Sequence, residues 1–561
     1  MSGQATFSAT LVDEWVRLGV TDAVVCAGSR STPLALPLAD RLRVHVRLDE
    51  RSGGFFALGL AMASGRPTVI CVTSGTAAAE LHPSVVEAYH GGVPLIVCTA
   101  DRPPELHHTG APQSIEQNGL FAGATRWAYA PGVPDEGQEQ SWRPLAVRAF
   151  EEAVHGANGP GPVHLNLEYR EPLTGAAAPL PARQGPNVFV PVSGGGTLSA
   201  SRTGLEPLQG RGLIIAGGPW PQRADPARVR ELAHRLGWPV LADPLSGSRL
   251  EGAIAAADAI VRTEPPPPEC VVMLGAPWLS RALGTFVTAA ARAKARIIVV
   301  DPFRQWADPL RVATEFHQCG TDEWLDSAIA TAMSSDPQWL DSWRDREALA
   351  QAAIADVLGT DLSEPLAARV VHRSAADTGA TLVVAASMPI RDLEWYAAAH
   401  PTAPRVLSNR GVNGIDGVVS TALGVAQSGG EQGVRTIALL GDLTFLHDVS
   451  GLVNLPESPC TFVVLDNGGG GIFSFLPQAT SVGPAVFEQL FGTPPTSDIS
   501  AVARGFGLPV HEVTELSQLD LALAASTSTP TPTLVRVKVH DRAQNVALHD
   551  AINQAVHLAL Q

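Results

Sequence analysis

A chain of 561 residues that is 45% hydrophobic and 17% charged is long enough for about three or four globular domains. This composition excludes an intrinsically disordered protein, and the net charge of −16 excludes binding to nucleic acid or anionic lipid through a basic surface. We therefore expect small-molecule partners, and an anionic substrate requires arginines concentrated in a pocket.

The sequence also indicates a cellular compartment. Its first residues lack the basic-then-apolar pattern of a secretory signal, and no run of about 18 apolar residues predicts a membrane-spanning helix. The cysteines are widely spaced and three of them lie inside apolar runs, which is typical of buried free thiols. We expect a cytoplasmic protein; its cysteines are Cys26, Cys71, Cys98, Cys270, Cys319 and Cys460.

Short apolar runs that end in Gly, Ser or Asp alternate along the chain with longer helical patterns. Apolar runs of this kind, each followed by a helix, predict parallel sheets built from strand–helix–strand units. A stretch rich in Pro, Gly and Ser predicts a linker over residues 171–210, and a polar helical stretch over residues 334–364 precedes a third block. We predict an α/β fold with three domains, over residues 1–180, 190–340 and 355–561.

In the first block, a strand ends at Leu48-Asp49-Glu50, and an apolar helix follows within a few residues. Glu50 is therefore predicted at the carboxyl edge of a parallel sheet, where such sheets bind ligands, and at a helix N-terminus. From these residues alone, a solvent-facing helix carboxylate and a functional acid stay open as alternatives.

In the third block, one apolar strand ends at Gly441-Asp442 and a second ends at Asp466-Asn467, followed by four glycines. The 25 residues from Asp442 to Asn467 fit one strand–helix–strand crossover, which brings both strand ends to one sheet edge. A carboxylate and an amide oxygen there can bind one Mg²⁺, while glycines let the backbone approach metal and phosphate. Each motif alone is also typical of a turn, but the pair at this spacing favours a metal–diphosphate site.

The pattern from Asp442 to Asn467 resembles the cofactor signature of the thiamine-diphosphate enzymes, and the first block resembles their pyrimidine-binding domain. The resemblance implies three Rossmann-like parallel-sheet domains, which are pyrimidine-binding, central and diphosphate-binding in chain order. It implies thiamine diphosphate with Mg²⁺ or Mn²⁺ as cofactors. The sequence departs from the signature once, because Asp466 stands where the family has a first Asn.

The resemblance carries over to individual residues. It implies that the metal ligands are Asp442, the Asn467 side chain and the Gly469 carbonyl, and that Leu443, Gly75 and Thr76 also bind the cofactor. A Glu at the place of Glu50 lies against the aminopyrimidine ring in this superfamily, and its carboxyl promotes the imino tautomer that deprotonates the thiazolium C2. Because the cofactor lies between domains of two subunits, a homodimer or homotetramer is implied.

Five longer strings, all after predicted strands, resemble one family of these enzymes more closely. This family is the 2-succinyl-5-enolpyruvyl-6-hydroxy-3-cyclohexene-1-carboxylate synthases of menaquinone biosynthesis, which join decarboxylated 2-oxoglutarate to isochorismate. Both substrates are dicarboxylates, for which the planar fork of arginine is suited. The strings are CAGSRSTPLALPL (26–38), TADRPPELHHTGAPQSIEQ (99–117), SMPIRD (387–392), SNRGVNGIDG (408–417) and NGGGGIFSFLP (467–477).

This closer resemblance implies a set of substrate- and cofactor-binding residues. Isochorismate binding is implied for Ser29, Arg30 and Gln113, and Pro112 stands where the family often has an Asn beside that Gln. Binding of substrate or intermediate carboxylates is implied for Ser387, Arg391 and Arg410, of which the two arginines are also implied to be catalytic. Arg281, at a basic position of the family, and Arg102 are implied to bind substrate as well. The apolar wedge that bends the cofactor is implied to be Ile415, and the apolar wall over the thiazolium is implied to consist of Ile472, Phe473 and Leu476.

Two alternatives to this synthase activity stay open from the sequence. The first is another thiamine-dependent 2-oxo acid decarboxylase or carboligase, whose substrate pocket would not require five loop arginines. The second is a cofactor-binding protein without catalytic activity, which predicts the loss of Glu50 or Asp442, although both are present.

Overall fold

The computed structural model describes residues 2–135, 137–183, 206–219, 223–276, 278–334, 336–430, 432–526 and 529–561. The chain divides into two compact units. Unit 1 lies within Met1–Pro191, Asn409–Gly433 and His447–Pro459, and unit 2 within Val192–Ser408, Val434–Leu446 and Cys460–Gln561. Residues 184–205 of the predicted linker lie outside the described residues.

The first block forms a sheet whose central strands are fully buried runs of apolar residues, as expected for strands with helices on both faces. Its strands are β1 (Asp22–Cys26), β2 (Arg43–Arg47), β3 (Thr68–Val72), β4 (Leu95–Asp101), β5 (Trp127–Tyr129) and β6 (Pro162–Glu168). Its helices are α1 (Gly3–Arg17), α2 (Thr32–Arg41), α3 (Glu50–Ser64), α4 (Thr76–Ala79), α5 (His82–Gly91) and α6 (Glu139–His155). All pairings are parallel, in the order β2-β1-β3-β4-β6-β5 among the described residues.

The second block repeats this pattern with a smaller sheet. Its strands are β7 (Gly212–Ala216), β8 (Val240–Ala242), β9 (Cys270–Leu274), β10 (Arg296–Val300) and β11 (Glu315–His317). Its helices are α7 (Pro226–Leu236), α8 (Ala257–Val261), α9 (Arg281–Arg292), α10 (Thr321–Thr331) and α11 (Pro337–Leu358). Within the part of the chain that the structure describes, these strands are parallel in the order β11-β10-β9-β7-β8.

The third block holds a second large parallel sheet, in the order β13-β12-β14-β15-β17-β16 over its described residues. Its strands are β12 (Thr381–Val384), β13 (Val406–Leu407), β14 (Thr436–Gly441), β15 (Cys460–Asp466), β16 (Val510–Val513) and β17 (Thr533–Lys538). Its helices are α12 (Glu364–Thr378), α13 (Met388–Tyr396), α14 (Val418–Gly430), α15 (Asp442–His447), α16 (Gln478–Ser481), α17 (Pro484–Phe487), α18 (Ile499–Gly505), α19 (Leu516–Ser526) and α20 (Arg542–Ala559).

Helix α14 belongs to unit 1, where it packs against α3. The two helices approach closely at glycines: a Cβ on Gly59 would lie 2.1 Å from the Thr421 carbonyl oxygen, and one on Gly424 would lie 2.2 Å from the Phe56 carbonyl oxygen. Because both obstacles are backbone atoms, only glycine permits this packing. It fixes α3, the helix that begins with Glu50, within unit 1.

The predicted α/β fold with three parallel sheets is confirmed. Each sheet has its apolar strands buried, and the second and third sheets share one hydrophobic core within unit 2, while the first has its own in unit 1. Of the helices in the described ranges, none combines the length and apolar character needed to cross a membrane.

Candidate active site

The ends of β14 and β15 carry the residues from which the sequence predicts a cation site. These strands are parallel neighbours, so Asp442 and Asn467 follow adjacent strand ends at the carboxyl edge of the sheet. The N–H of Gly469 donates to Asp442 Oδ2 at 2.8 Å and to Asn467 Oδ1 at 3.2 Å. A carboxylate oxygen and an amide oxygen thus both accept from one backbone N–H at this edge of the sheet, and their binding of one Mg²⁺ stays a prediction.

Asp442 is almost completely buried, with 1% of its surface exposed. Burial raises the pKa of its carboxyl to about 6, although N–H groups of Leu443 and Gly469 donate to it, at 2.6 and 2.8 Å, and favour the charged form. The described residues hold no cluster of three or more His, Cys, Asp or Glu side chains that could bind a metal ion. One buried carboxylate with amide and carbonyl oxygens instead fits a hard cation that also takes phosphate oxygens, such as Mg²⁺.

Gly469, the second residue after Asn467, is required by close backbone packing. Gly469 has a φ of 129°, and a Cβ there would lie 2.2 Å from the Gly492 carbonyl oxygen. The Gly469 carbonyl accepts the N–H of Gly471 at 2.8 Å and has a second lone pair for its predicted role as a metal ligand, which stays a prediction.

Asp466, the one departure from the family signature, has a partner in this chain. Its Oδ2 accepts hydrogen bonds from Nε and Nη2 of Arg536, at 2.9 and 2.7 Å, and lies 3.3 Å from Nζ of Lys538. Both cations come from β17, the strand beside β15. The Asp466 carboxylate is thus paired with two cations of the neighbouring strand β17 and does not take the place of the Asn467 amide.

Other predicted residues of unit 2 lie after strands of the second and third sheets. Ile472 and Phe473 lie half-buried in a 3₁₀ turn, Gly471–Phe475, after the glycines. Ser387 precedes the first residue of α13, and its carbonyl accepts a hydrogen bond from Arg391 Nη1 at 2.6 Å. Arg281 is the exposed first residue of α9.

In unit 1, Glu50 is the first residue of α3, as predicted, and follows β2. Asp49 caps this helix by accepting the N–H of Ser52 at 3.1 Å. Glu50 is half-buried, and burial raises the pKa of its carboxyl, as do the charges of Asp49 and Glu80. A carboxyl whose neutral form is favoured in this way is suited to sharing a proton with a ring nitrogen.

The buried carboxylate of Asp448 also stabilises the first turn of α3. It accepts the N–H of Ser420 at 2.7 Å and the hydroxyl of Ser52 at 3.3 Å. Arg47, which is also buried, donates to the Gly451 carbonyl at 2.7 Å. The backbone beside Glu50 is therefore tied to the start of α14.

The predicted isochorismate residues gather at the carboxyl ends of β1, β3 and β4. Arg30 donates to the Tyr169 carbonyl at 2.9 Å, and its positive charge lowers the pKa of the buried Arg102 in addition to the larger effect of burial. Arg102 contacts the Ser74 hydroxyl. Ser29 is exposed in the loop after β1. The structure therefore brings two of the predicted arginines, Arg30 and Arg102, close together within unit 1.

Gly75 and Gln113 belong to the same edge. Gly75 has a φ of 82° and donates its N–H to Oε1 of Gln117 at 2.9 Å. The fully buried Gln117 also donates to Asn166 Oδ1 at 2.8 Å. Gln113, with a φ of 56°, lies directly over Gly75 and is exposed, and Thr76 begins α4.

Arg410 and Ile415 lie on a loop that a second buried carboxylate holds in unit 1. Glu87 of α5, 4% exposed, accepts the N–H groups of Gly411 at 2.6 Å and of Val412 at 2.9 Å. These donors favour its charged form, but burial is the larger effect and raises the pKa of Glu87. The carboxylate therefore fixes the backbone between the two predicted site residues, which are both half-buried.

Sequence reasoning did not identify the supporting residues Glu87, Gln117 and Asp448. Each lies inside or at the start of an ordinary helical or loop pattern, so its local sequence gives no signal. Their roles depend on partners that are distant in the chain, with 324 positions between Glu87 and Gly411 and 42 positions between Gln117 and Gly75.

Family models match the chain in three consecutive parts. They are described as "Thiamine pyrophosphate enzyme, N-terminal TPP binding domain" over residues 5–120, "Middle domain of thiamine pyrophosphate" over residues 200–383, and "Thiamine pyrophosphate enzyme, C-terminal TPP binding domain" over residues 393–537. Most of the predicted site residues fall inside the first and third matches.

Curated relatives match over the full length. A Thermobifida fusca protein named 2-succinyl-5-enolpyruvyl-6-hydroxy-3-cyclohexene-1-carboxylate synthase is 42% identical over 588 residues, which cover 100% of both chains. Proteins of the same name from Chloroflexus aurantiacus and Listeria monocytogenes are 41% and 35% identical, covering 97% of this chain in each case and 94% and 96% of the relatives.

Among solved structures, benzoylformate decarboxylase from Polynucleobacter necessarius superposes with a TM-score of 0.68 over 95% of this chain and 98% of its own. At 18% identity, this likeness supports the fold alone.

Proposed function

Because this chain belongs to the 2-succinyl-5-enolpyruvyl-6-hydroxy-3-cyclohexene-1-carboxylate synthases, a family of thiamine pyrophosphate enzymes, we propose that it decarboxylates 2-oxoglutarate and transfers the remaining four-carbon unit to isochorismate. The products are CO₂ and the compound that gives the family its name, an intermediate of menaquinone biosynthesis. The enzyme is a thiamine-diphosphate-dependent transferase.

The observation that carries this proposal is the convergence of the Asp442 carboxylate and the Asn467 amide oxygen on the Gly469 N–H. These oxygens, with the Gly469 carbonyl, would hold the Mg²⁺ or Mn²⁺ that neutralises a diphosphate. When bound, thiamine diphosphate supplies the nucleophilic carbon and the electron sink that a 2-oxo acid needs to lose CO₂. Ile472 and Phe473 would exclude water from this site, and Leu443 would contact the same cofactor.

Glu50 would share a proton with the ring nitrogen of the aminopyrimidine. Its half-buried position and the raised pKa of its carboxyl support this role. Gly75 and Thr76 follow β3, which is separated from β2 by β1 in the same sheet, and they would bind the same ring. Ile415 would support the bent conformation of the cofactor. The Asp448 hydrogen bonds to Ser52 and Ser420 keep Glu50 in place.

The substrates would be bound by arginines, because each is a dicarboxylate and the protein as a whole is acidic. Arg30, with Ser29 and Gln113, would bind isochorismate, and Arg102 lies beside it. Ser387, Arg391 and Arg410 would bind the carboxylates of 2-oxoglutarate and of the intermediate formed from it. Arg281, at the carboxyl edge of the second sheet, would add a further positive charge.

We further propose that the chain forms a homodimer, or a homotetramer built from two such dimers. Each coenzyme would be held by Glu50 of one copy and Asp442 of another. Apolar side chains near Glu50 support a protein partner there: Leu48 is 69% exposed and Val46 is 57% exposed. A cytoplasmic location is supported by the six cysteines, which are all free thiols.

The test is an assay of the purified full chain with thiamine diphosphate, Mg²⁺ and 2-oxoglutarate, with and without isochorismate. We expect consumption of isochorismate with equimolar CO₂ release, and the named product by mass spectrometry. Release of CO₂ without an isochorismate-dependent product would contradict the synthase activity and favour another thiamine-dependent decarboxylase or carboligase. Absence of both reactions would contradict enzymatic function of this class.

A further inference from the structure

A buried carboxyl lies directly behind the predicted metal ligand Asn467. Glu364, the first residue of α12, is 2% exposed, and its Oε1 accepts Nδ2 of Asn467 at 2.8 Å. The same Oε1 accepts Nδ2 of Asn545 at 3.0 Å. Asn545 lies on α20, beyond residue 537 where the third family match ends, and Glu364 lies before residue 393 where that match begins.

These contacts decide which end of the Asn467 side chain faces the cation site. A carboxamide has a donor end and an acceptor end, and only its oxygen can bind a cation. Because Glu364 accepts the Nδ2 hydrogens, Oδ1 of Asn467 turns to the opposite side, where it lies 3.2 Å from the Gly469 nitrogen. The reversed amide would place its oxygen against a carboxyl oxygen and would point its N–H groups at the cation.

The interaction requires an acceptor oxygen on Glu364 but not a negative charge. Burial, together with the charge of the buried Asp392, raises the pKa of Glu364 to about 8. Both the neutral and the ionised carboxyl keep an oxygen that can accept the two amide hydrogen bonds. A glutamine at this position would keep such an oxygen as well.

We propose that Glu364 is the positioning residue of the cation site, holding Asn467 by its amide nitrogen so that its oxygen joins the Asp442 carboxylate toward Mg²⁺. Asn545 supports Glu364 in this role from the C-terminal helix. The inference rests on the proposed function, since it assigns the Asn467 oxygen to the cation that accompanies thiamine diphosphate.

The experiment measures cation binding by titrating Mn²⁺ calorimetrically into the full chain saturated with thiamine diphosphate. Glu364→Met removes the acceptor and keeps a similar volume, and we expect about 10–100-fold weaker Mn²⁺ binding, as for other residues that orient metal ligands. Glu364→Gln keeps the acceptor and is expected to bind Mn²⁺ like the wild type. Asn545→Ala removes one support of Glu364 and is expected to weaken Mn²⁺ binding, but less than Glu364→Met does.

The matched control is Glu347→Met on α11, which removes a carboxylate that accepts the Ala256 N–H at 2.9 Å and Gln351 Nε2 at 2.9 Å. This control is expected to leave Mn²⁺ binding unchanged, with thermal unfolding measured for every variant. Binding by Glu364→Met equal to that of the wild type would overturn the proposal, as would equal losses in Glu364→Met and Glu347→Met, or a Glu364→Gln variant as weak as Glu364→Met.

Where Glu364→Met does not fold, the Glu364→Gln and Asn545→Ala titrations decide, and unchanged binding by Asn545→Ala overturns the proposal. Failure of the proposed function is a different result: wild-type protein that binds Mn²⁺ and thiamine diphosphate but makes no isochorismate-dependent product. Wild-type protein that binds no Mn²⁺ would remove the cofactor assignment and this inference with it.

Discussion

Replacing Asp442 with alanine is expected to abolish the synthase reaction and to weaken Mg²⁺ binding in the presence of thiamine diphosphate by at least about 100-fold. Asp442 is the buried carboxylate of the proposed cation site, and without it the Asn467 oxygen and a backbone carbonyl would have to compensate the two positive charges of Mg²⁺. Calorimetric titration of Mg²⁺ and thiamine diphosphate measures the binding loss directly, and the isochorismate-dependent assay measures the activity.

The control for Asp442→Ala is Asp466→Asn, a change at a buried aspartate of the neighbouring strand end. Asp466 is bound to Arg536, so its loss is expected to lower the unfolding temperature but to leave cation binding close to that of the wild type. The variant also restores the Asn pair of the family signature. Retained Mg²⁺ binding and turnover in Asp442→Ala would contradict the assigned cation site.

The second large effect is expected for Glu50→Gln, which keeps the shape of the side chain but cannot exchange a proton. General acid–base groups contribute about 10²–10⁴-fold to rates, so we expect kcat to fall by that factor while thiamine diphosphate and Mg²⁺ still bind. Pre-steady-state and steady-state assays with both substrates measure kcat, and calorimetry confirms that the coenzyme is bound.

Glu80→Gln is the matched control for Glu50→Gln, because Glu80 is an exposed carboxylate whose charge contributes to the raised pKa of Glu50. Its removal is expected to change kcat only slightly, through a small shift in the pKa of Glu50. A Glu50→Gln enzyme with wild-type kcat would show that this carboxyl has no part in the reaction and would revive a cofactor-binding role without catalysis.

The fold and the strand-end motifs were predictable from sequence because both depend on local pattern. Apolar runs of five to seven residues became buried parallel strands, and the spacing between Asp442 and Asn467 became one crossover between the adjacent strands β14 and β15. Parallel strands carry their ends to one edge of the sheet, so residues that follow such runs are brought together without any long-range information.

Residues that support the site were not predictable in this way. Glu87 holds a loop more than 300 positions away, and Glu364 contacts Asn467 and Asn545, which come from two later elements of the chain. In the sequence each is one acidic residue in a helical pattern, where an exposed side chain is the ordinary outcome. Only the tertiary fold shows that these carboxyls are buried and which N–H groups they accept.

The structure also explains why the signature tolerates Asp466. In the sequence, Asp466 is a departure from the Asn pair of the family signature. In the fold, alternate residues of a strand point to opposite sides, and the Asp466 side chain pairs with Arg536 and Lys538 of β17. The residue before Asn467 can therefore differ from the family signature while the predicted ligand Asn467 is kept.

Co-expression of Glu50→Gln and Asp442→Ala chains with different affinity tags gives the most direct measurement of whether two copies share one coenzyme. Glu50→Gln alone is expected to keep at most about 1% of wild-type kcat, and Asp442→Ala alone is expected to be inactive. A purified heterodimer would contain one site with both Glu50 and Asp442 intact, and about half of wild-type activity per dimer is expected from its two-fold symmetry. Heterodimers no more active than either parent would show that the carboxyl and the cation ligands do not serve the same coenzyme across two chains.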